Sequence, residues 1–352
     1  MNSQSLSPSP TPGNHQPLTT QVAGHVGVMM TTEDGSLLIK PALPREVEFY
    51  QILQQDKTLE GLRVFTPQFL GTLKLEGQVD PSHANLAENI ISIVLENLAY
   101  QFVKPNILDV KLGTVLYDDT ATPEKKARME KAAKDTTSGE TGIRVTGFQV
   151  YDNATSKPIQ TPKTYGKSLK PHQLGEGIAK FFPLFGQSEF LPVAGPTSGE
   201  DIDMSDSTSS YSFGLPIELL TPIVQGIREE VVLLREVYEP LEIRMIAASL
   251  LIIYEADWDR AEEALTRYFV EEDNEEDSDE EDDDDDETKP KKVGLPFVVR
   301  LIDFAHTNLV PGKGPDKGVL LGMETVINLL DDRLKKSRLE AVHSSGSYPN
   351  LG

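Results

Sequence analysis

Apolar and polar residues follow one another along the chain in patterns that predict a mixture of strands and helices. Apolar runs predict strands over residues 24–30, 35–40, 91–98, 105–112, 245–257 and 297–307, with one more between 134 and 175. Helices are predicted over residues 46–55, 123–134, 175–185, 223–238 and 322–334. Strands come first and mixed elements follow, which indicates an α+β protein with two lobes.

Polar stretches rich in Ser, Pro or acidic residues separate these predicted elements into larger units. The predicted units are a flexible tail (1–20), an N-terminal lobe (21–104), a C-terminal lobe (105–335) with disordered inserts at 186–212 and 271–292, and a flexible C-terminal tail (336–352). No internal repeat is found, so the chain is not predicted to be a solenoid.

Most of the net negative charge of the chain lies in one segment. The net charge is −23, and residues 271–287 hold 15 acidic side chains and no basic ones. Without those 15 charges the rest of the chain carries −8, which is ordinary for a soluble protein. Like charges at that density repel one another and bury nothing, so a solvated, disordered loop is predicted. The alternative is a docking segment for a basic partner.

Composition excludes several classes of protein. No apolar run approaches the roughly 18 residues of a membrane-spanning helix. The first 20 residues are polar and rich in Ser and Pro, which does not fit a secretory signal. The chain contains no cysteine, which excludes disulfides and cysteine-ligated zinc and fits a reducing compartment.

The segment "PNILDVKLG", residues 105–113, is the first candidate for chemistry. In a strand, Asp109 and Lys111 would point to the same face, and Leu108 and Val110 to the other. The pair is either an ordinary solvent-facing charge pair, which contributes little to stability, or part of a site.

Two further charged residues end apolar strands. Asp303 follows "VVRLI", where a carboxylate on a rigid element could hold Mg²⁺ against nucleotide phosphates; the alternative is an Asp that caps a turn. Lys40 ends "GSLLIK", and a helix Glu after a strand Lys is a known device for fixing phosphates. Glu46 is the favoured partner of Lys40 and Glu48 the alternative, unless both are surface charges.

The chain lacks the G-x-G-x-x-G loop, H-R-D, A-P-E and Walker A motifs, which excludes a protein kinase or a P-loop enzyme.

Residues 105–113 match the P-x-x-x-D-x-K-x-G signature, and the chain thereby resembles the inositol polyphosphate kinase family. The other matching segments follow in family order: "QVAGH" (21–25), "TSGETGIRVTGFQVY" (137–151), "SLLIIYEAD" (249–257), "LIDFAHT" (301–307) and "GPDKGVLLGMETVINLL" (314–330). The resemblance implies a two-lobed fold, distantly similar to protein kinases and ATP-grasp enzymes, with a short inositide-binding helical insert and a disordered acidic loop.

The resemblance also implies roles for individual residues, with ATP and Mg²⁺ as cofactors. Lys40, supported by Glu46, would hold ATP phosphates, and Asp303 would hold Mg²⁺. Asp109 would accept a hydrogen bond from a ribose hydroxyl or from the attacking inositol hydroxyl, and Lys111 would offset charge on the transferred phosphoryl group. The backbone groups of Glu96 and Leu98 would bind adenine.

A basic helix follows the signature and would bind the inositide. Lys125, Arg128 and Lys131 are spaced by three, so they are neighbours on a helix surface. Without the resemblance, a solvated basic face would be the favoured interpretation, and the more basic helix leaves Lys126 and Lys134 as further candidates. By the resemblance, His306 would approach the same ligand; a structural role in the turn is its alternative.

Within the family, the short tail before "QVAGH" and the short insert resemble the fungal multikinase branch. That branch implies conversion of inositol 1,4,5-trisphosphate to tetrakis- and pentakisphosphates through the 6- and 3-hydroxyls. The alternatives are a trisphosphate 3-kinase, a hexakisphosphate kinase, or a transcription-regulatory scaffold with secondary catalysis. We expect a monomer in nucleus and cytoplasm, with inositol polyphosphates as ligands, transcription factors as candidate partners of the acidic run, and no direct contact with nucleic acid or membrane.

Overall fold

Two antiparallel five-stranded sheets form the framework of the protein, in a computed structural model that describes residues 16–17, 29–74, 91–185, 213–273 and 294–345. The first sheet has the order β1-β2-β3-β5-β4. Its strands are β1 (Gln16–Pro17), β2 (Met30–Thr31), β3 (Leu37–Ala42), β4 (Phe69–Lys74) and β5 (Ile91–Glu96). Helices α1 (Pro44–Gln55) and α2 (Glu60–Arg63) connect β3 to β4. Except for β1, this sheet lies within the predicted N-terminal lobe.

The second sheet has the order β11-β10-β6-β7-β8 and lies within the predicted C-terminal lobe. Its strands are β6 (Pro105–Leu112), β7 (Ile143–Asp152), β8 (Lys157–Gln160), β10 (Ser249–Glu255) and β11 (Phe297–Ile302). A separate pair joins β9 (Ile243–Met245) to β12 (Thr307–Leu309). Strand β6, which carries the signature, is central, and neighbouring strands therefore bury nearly its whole length.

Helices surround the second sheet. They are α3 (Pro123–Asp135), α4 (Ser138–Thr141), α5 (Lys163–Ser168), α6 (Leu174–Phe181), α7 (Ile217–Tyr238), α8 (Trp258–Asp273) and α9 (Lys317–Ser345). The two long helices α7 and α9 pack against each other and against the sheet. No described helix is both long enough and apolar enough to cross a membrane.

One hydrophobic core joins the two sheets and sets the position of the cleft between them. The ring of Phe304, just after β11, lies 4.8 Å from the ring of Phe49 and 5.3 Å from that of Tyr50, both in α1. The N–H of Leu301 donates to the carbonyl of Phe65 at 2.7 Å. These contacts hold the end of β11 against α1, beside the strand that carries Lys40.

Several predicted boundaries are wrong. Within the predicted tail 1–20, Gln16–Pro17 pairs with Met30–Thr31. The predicted insert 271–292 begins three residues too early, because α8 continues to Asp273. Helix α8 was not predicted: its residues Ala261 and Leu265 are buried four positions apart, and this apolar stripe stabilises the helix into the acidic run.

The predicted C-terminal tail 336–352 is also wrong over its first ten residues, because α9 continues to Ser345. Buried Arg333 donates to the carbonyl of Phe182 and to Glu340, and Ser337 is buried as well, so the turns around Arg333 and Ser337 pack on the protein. The predicted strand 245–257 is divided into β9 and β10, because Ala247 has a left-handed backbone with φ of +63°.

Some predictions fall on residues that the structure does not describe. They are the "QVAGH" segment, most of the predicted strand over 24–30, the insert 186–212, and the acidic run from residue 274 onward.

Candidate active site

Lys40 lies at the junction of the two lobes and forms two ion pairs. Its Nζ lies 2.9 Å from Oε1 of Glu46 and 2.7 Å from Oδ1 of Asp303. Glu46 is in the first turn of α1 and is buried, whereas Glu48 is exposed, so Glu46 is the partner. Burial acts to lower the pKa of Lys40, but the Asp303 and Glu46 carboxylates outweigh it and raise that pKa. Lys40 is therefore positively charged.

Asp303 lies at the end of β11, with an unusual backbone conformation. Its φ of +67° is left-handed, a region in which Asp and Asn are enriched among residues other than glycine. Oδ1 faces Lys40, and Oδ2 lies 3.8 Å from Nζ of Lys111. Burial acts to raise the pKa of Asp303, but the two lysines outweigh it and hold that pKa below its usual value. Asp303 is thus an ionised carboxylate between two ammonium groups.

Lys111 is held by a loop that the sequence analysis did not assign to the site. Its Nζ donates to the carbonyl of Ala247 at 2.8 Å and to the hydroxyl of Ser249 at 3.1 Å. The left-handed backbone of Ala247 turns that carbonyl toward the lysine. Ser249 lies within the quoted "SLLIIYEAD" match, but nothing in its residue type indicated this contact.

Asp109 is buried beside Lys111, with only 3% of its surface exposed. Its Oδ1 has no hydrogen-bond partner among the described residues. Burial raises the pKa of Asp109 and the charge of Asp303 raises it further, whereas Lys111 and the hydroxyl groups of Ser249 and Thr146 oppose the shift. Arg144 was also not predicted. It lies opposite Lys111 in the register of β6 and β7, and its charge and that of Asp109 act on each other. A β-bulge opposite Asp109 and Val110 leaves Thr146 as the extra residue of β7.

Lys40, Asp303 and Lys111 border an open cleft with a volume of about 560 Å³. Its lining combines lysines and carboxylates with the short apolar segment that joins β3 to α1. The lining residues are Lys40, Pro41, Ala42, Leu43, Pro44, Glu46, Lys111, Ile246, Ala247, Asp303, Ala305 and His306. Asp303, Lys40, Lys111 and His306 thus share one cleft, although they come from distant parts of the chain.

The predicted substrate residues are only partly brought together. His306 Nδ1 lies 3.2 Å from Oδ2 of Asp118, and the charge of Lys125 also acts on that carboxylate. Arg128 is exposed on α3, and Lys131 is exposed and paired with Asp135. The structure therefore brings Lys125 and His306 together, whereas Lys131 is paired within its own helix.

The other basic residues of α3 have different surroundings. Lys126 Nζ lies 5.9 Å from the centre of the Tyr117 ring, and Lys134 is exposed near Lys170 in a separate depression. Neither is placed at the cleft by a described contact.

Glu96 and Leu98 lie at the end of β5 and in the turn that follows. The N–H of Glu96 donates to the carbonyl of Gln68 at 3.0 Å, and the Glu96 side chain accepts from the N–H of Gln68 at 3.1 Å. In the described part of the chain, no hydrogen bond from the N–H of Leu98 is found. Of the two N–H groups, the one of Leu98 is therefore free to donate a hydrogen bond to a planar heterocycle.

The carboxylates of the cleft suit a metal cation that takes most of its ligands from bound phosphate and water. Over the described residues no group of three or more His, Asp and Glu side chains could hold a metal by itself. Mg²⁺ and similar ions commonly take one or two carboxylates and complete their shell with phosphates and water. Asp303 is ionised and 38% exposed, so its carboxylate fits such an ion.

Comparison with known proteins gives concordant results. The family model "Inositol polyphosphate kinase" matches residues 92–190 and 215–331. The inositol polyphosphate multikinase of Saccharomyces cerevisiae is 33% identical, over 91% of this chain and 98% of that protein. Inositol hexakisphosphate kinase 3 of Mus musculus is 28% identical, over 68% of this chain and 50% of that protein.

The fold agrees with a solved structure. A crystal structure of the inositol phosphate multikinase of Saccharomyces cerevisiae, in complex with ADP and Mn²⁺, covers 85% of this chain and 100% of its own, with a TM-score of 0.58 and 30% identity. The predicted α+β fold class is thereby confirmed.

Proposed function

The chain belongs to the inositol polyphosphate kinase family and is therefore a kinase, and on that premise we propose that it transfers the γ-phosphoryl group of ATP to hydroxyl groups of inositol polyphosphates. The observation that carries the proposal is the arrangement of Lys40, Asp303 and Lys111 in one cleft. Phosphoryl transfer depends on positioning and charge neutralisation, which these three groups provide at one place.

Each charged residue has a distinct part in the proposed reaction. Asp303 would hold Mg²⁺, whose bound form neutralises phosphate charge. Lys40, fixed by Glu46, would bind nucleotide phosphates. Lys111, held by Ala247 and Ser249, would contact the transferred phosphoryl group as its negative charge spreads over the equatorial oxygens.

Asp109 would accept a hydrogen bond from a hydroxyl group, either of the ribose or of the attacking inositol. Its free Oδ1 supports this role, because a buried carboxylate oxygen without a partner is costly and gains a partner when the ligand binds. The adenine ring would contact the backbone of Glu96 and Leu98. These assignments make β6 the boundary between nucleotide and inositide.

The inositide would lie against helix α3 and His306. A polyphosphorylated ring needs several cations nearby, and Lys125 and Arg128 provide them on a helix that begins beside the cleft. Thr122 caps that helix by accepting from the N–H of Lys125 at 3.3 Å, which fixes where its first basic residue lies. Lys131 would join the site only if the ligand displaces Asp135.

We further propose that the enzyme is a multikinase that phosphorylates inositol 1,4,5-trisphosphate at both the 6- and 3-hydroxyls. Between β6 and β7 the chain has only the 13-residue helix α3 and the four-residue helix α4. A strict 3-kinase needs extra walls that penalise rotated substrates, and no subdomain is present between those strands to supply them. The match to the yeast multikinase over nearly its full length supports the same conclusion. A 3-kinase and a hexakisphosphate kinase are the alternatives.

Resolving the products of the purified protein over time tests this proposal. The protein is incubated with ATP, Mg²⁺ and inositol 1,4,5-trisphosphate, and then, separately, with the hexakisphosphate. We expect a tetrakisphosphate that is consumed as a pentakisphosphate appears. A tetrakisphosphate that never advances would favour a 3-kinase, and turnover of the hexakisphosphate alone would favour a hexakisphosphate kinase.

A further inference from the structure

Asp118 lies between β6 and α3 and is enclosed, although the next residue, Asp119, is exposed. Only 9% of the Asp118 side chain is exposed. Its Oδ2 lies 3.2 Å from Nδ1 of His306, and its Oδ1 accepts from the N–H of Thr120 at 3.1 Å and from the Thr120 hydroxyl at 2.7 Å. Each carboxylate oxygen therefore has its own partner, one local and one on the distant loop after β11.

The ionisation of Asp118 determines how the imidazole ring of His306 can be used. The hydrogen bond from the Thr120 side chain lowers the pKa of Asp118, and the charges of Lys125 and His306 lower it further. An ionised carboxylate can only accept hydrogen bonds, so the ring nitrogen that faces it must carry the proton. Nδ1 of His306 is thus the protonated nitrogen, and Nε2 has no partner in the part of the chain that the structure describes.

We propose that Asp118 is a positioning residue for the phosphorylated substrate, which fixes His306 with Nε2 left for the ligand and holds it beside Lys125. The inference rests on the proposed function. His306 lines the cleft next to Asp303, and Lys125 opens the basic helix. Asp118 joins these two walls, so the cations that face the substrate keep one geometry. When Nε2 also carries a proton, its N–H can donate to a phosphate oxygen of the bound polyanion.

Asp118→Asn tests the inference, because an amide has the same shape but lacks the charge and can present an N–H to the ring. We expect KM for the inositide to rise roughly tenfold, the loss of one hydrogen bond to a charged group, while KM for ATP stays within about twofold. Asp119→Asn removes the same charge from the adjacent, exposed position and should change neither constant. Thermal melting of each variant checks that the fold is intact.

A double-mutant cycle with His306→Ala separates positioning from a general structural role. If Asp118 acts through His306, Asp118→Asn should have no further effect once the ring is absent. The inference is overturned if Asp118→Asn is equally harmful in the His306→Ala background, or if KM for ATP rises as much as KM for the inositide.

A measurement on the wild-type protein does not depend on activity. Nitrogen NMR of the His306 ring, assigned by comparison with His306→Ala, reports which nitrogen carries the proton in the neutral form. Protonation at Nδ1 is expected, and a neutral ring protonated only at Nε2 overturns the inference. If the wild-type enzyme phosphorylates no inositide, the proposed function fails, whereas this ring measurement still decides the role of Asp118.

Discussion

At the scale of single residues, the site depends on ionised groups that stabilise one another. Asp303 adopts a left-handed backbone at the end of β11, which places its carboxylate between Lys40 and Lys111. Asp303 and the two lysines therefore offset one another's charge in the partly buried cleft. Asp109 is different, because its Oδ1 has no partner and its burial disfavours the charged form. One carboxylate is therefore stabilised by its surroundings and the other is destabilised by them.

Asp109→Asn should raise the melting temperature at neutral pH while abolishing turnover. The pKa of Asp109 is raised by burial, so the folded protein holds the proton more tightly than the unfolded chain does. Its ionisation therefore costs stability at pH above the raised pKa, and an amide avoids that cost.

The difference in melting temperature between wild type and Asp109→Asn should shrink as the pH falls through the raised pKa and then below 3.8, where the carboxyl group is neutral in both states. Melting of both proteins over a pH series checks this. A gap that stays constant with pH, or a variant less stable at neutral pH, would contradict the assigned environment of Asp109.

Glu46→Gln should raise KM for ATP roughly tenfold, because Lys40 loses a buried ionic partner that fixes its direction. Glu48→Gln is the matched control, two positions along the same helix but exposed. It should leave KM for ATP within about twofold. Steady-state kinetics with varied ATP compare the two, and equal effects would show that Glu46 has no special part in holding Lys40.

The sequence nominated Lys40 and Asp303 because each ends an apolar strand, and it nominated Asp109 and Lys111 because they share one face of the signature strand; neither pattern needs knowledge of the fold. It could not nominate Asp118, Ala247 or Ser249, because their contacts depend on which loops meet. Asp118 contacts a histidine that is distant in the sequence, and Ala247 acts through its backbone carbonyl. To decide between Glu46 and Glu48 one must know which side chain is buried, and the sequence within one helix turn does not show this.

At the scale of secondary-structure elements, apolar runs predicted β6, β10 and β11 well, because most residues on both faces of these strands are buried. Helix ends were predicted poorly. Helix α8 was not predicted, and α9 extends past its predicted end at residue 334; buried side chains, including Leu265 in α8 and Ser337 in α9, hold these helices on the core. Such tertiary stabilisation overrides local composition.

The contact between the start of β7 and helix α9 depends on Gly142. Its φ is +69°, and a Cβ there would lie 2.5 Å from the backbone nitrogen of Gly322. Gly142→Ala should therefore lower the free energy of unfolding by about 3 kcal/mol, from left-handed strain and overpacking together.

Gly312→Ala is the matched control for Gly142→Ala, because its φ is +80° but no atom lies within 4 Å of the added Cβ. It should cost only the conformational part, about 1 kcal/mol. Urea denaturation measures both, and equal losses would mean that the close approach of α9 does not matter for stability.

At the scale of the whole molecule, two sheets and one shared core hold the cleft together, so groups from both lobes meet at fixed distances. The α+β class followed from the order of elements, and the family from the signature and its ordered companions. The shape of the cleft did not, because it depends on how α1 packs against the end of β11 through the Phe49, Tyr50 and Phe304 rings. The nuclear location and the partner of the acidic run stay predictions.

Replacing residues 274–287 by a Gly/Ser segment of equal length should leave kcat/KM within about threefold of wild type. A run of like charges has no apolar surface with which to stabilise the cleft. The replacement begins after Asp273, so α8 is kept whole. Product assays on both proteins check this, and a large fall in turnover with unchanged melting would give the acidic run a direct catalytic part.

The most direct test of the central claim follows the γ-phosphoryl group itself, with labelled ATP, Mg²⁺ and inositol 1,4,5-trisphosphate, in wild type and Asp303→Asn. Asparagine tolerates the left-handed backbone of this position, so the fold should survive, but an amide lacks the charge that holds the cation. We predict that label reaches the inositide in wild type and not in the variant, which should still melt cooperatively, although at a lower temperature because the two lysines lose the carboxylate between them. Equal transfer of label by a folded Asp303→Asn variant would contradict the account.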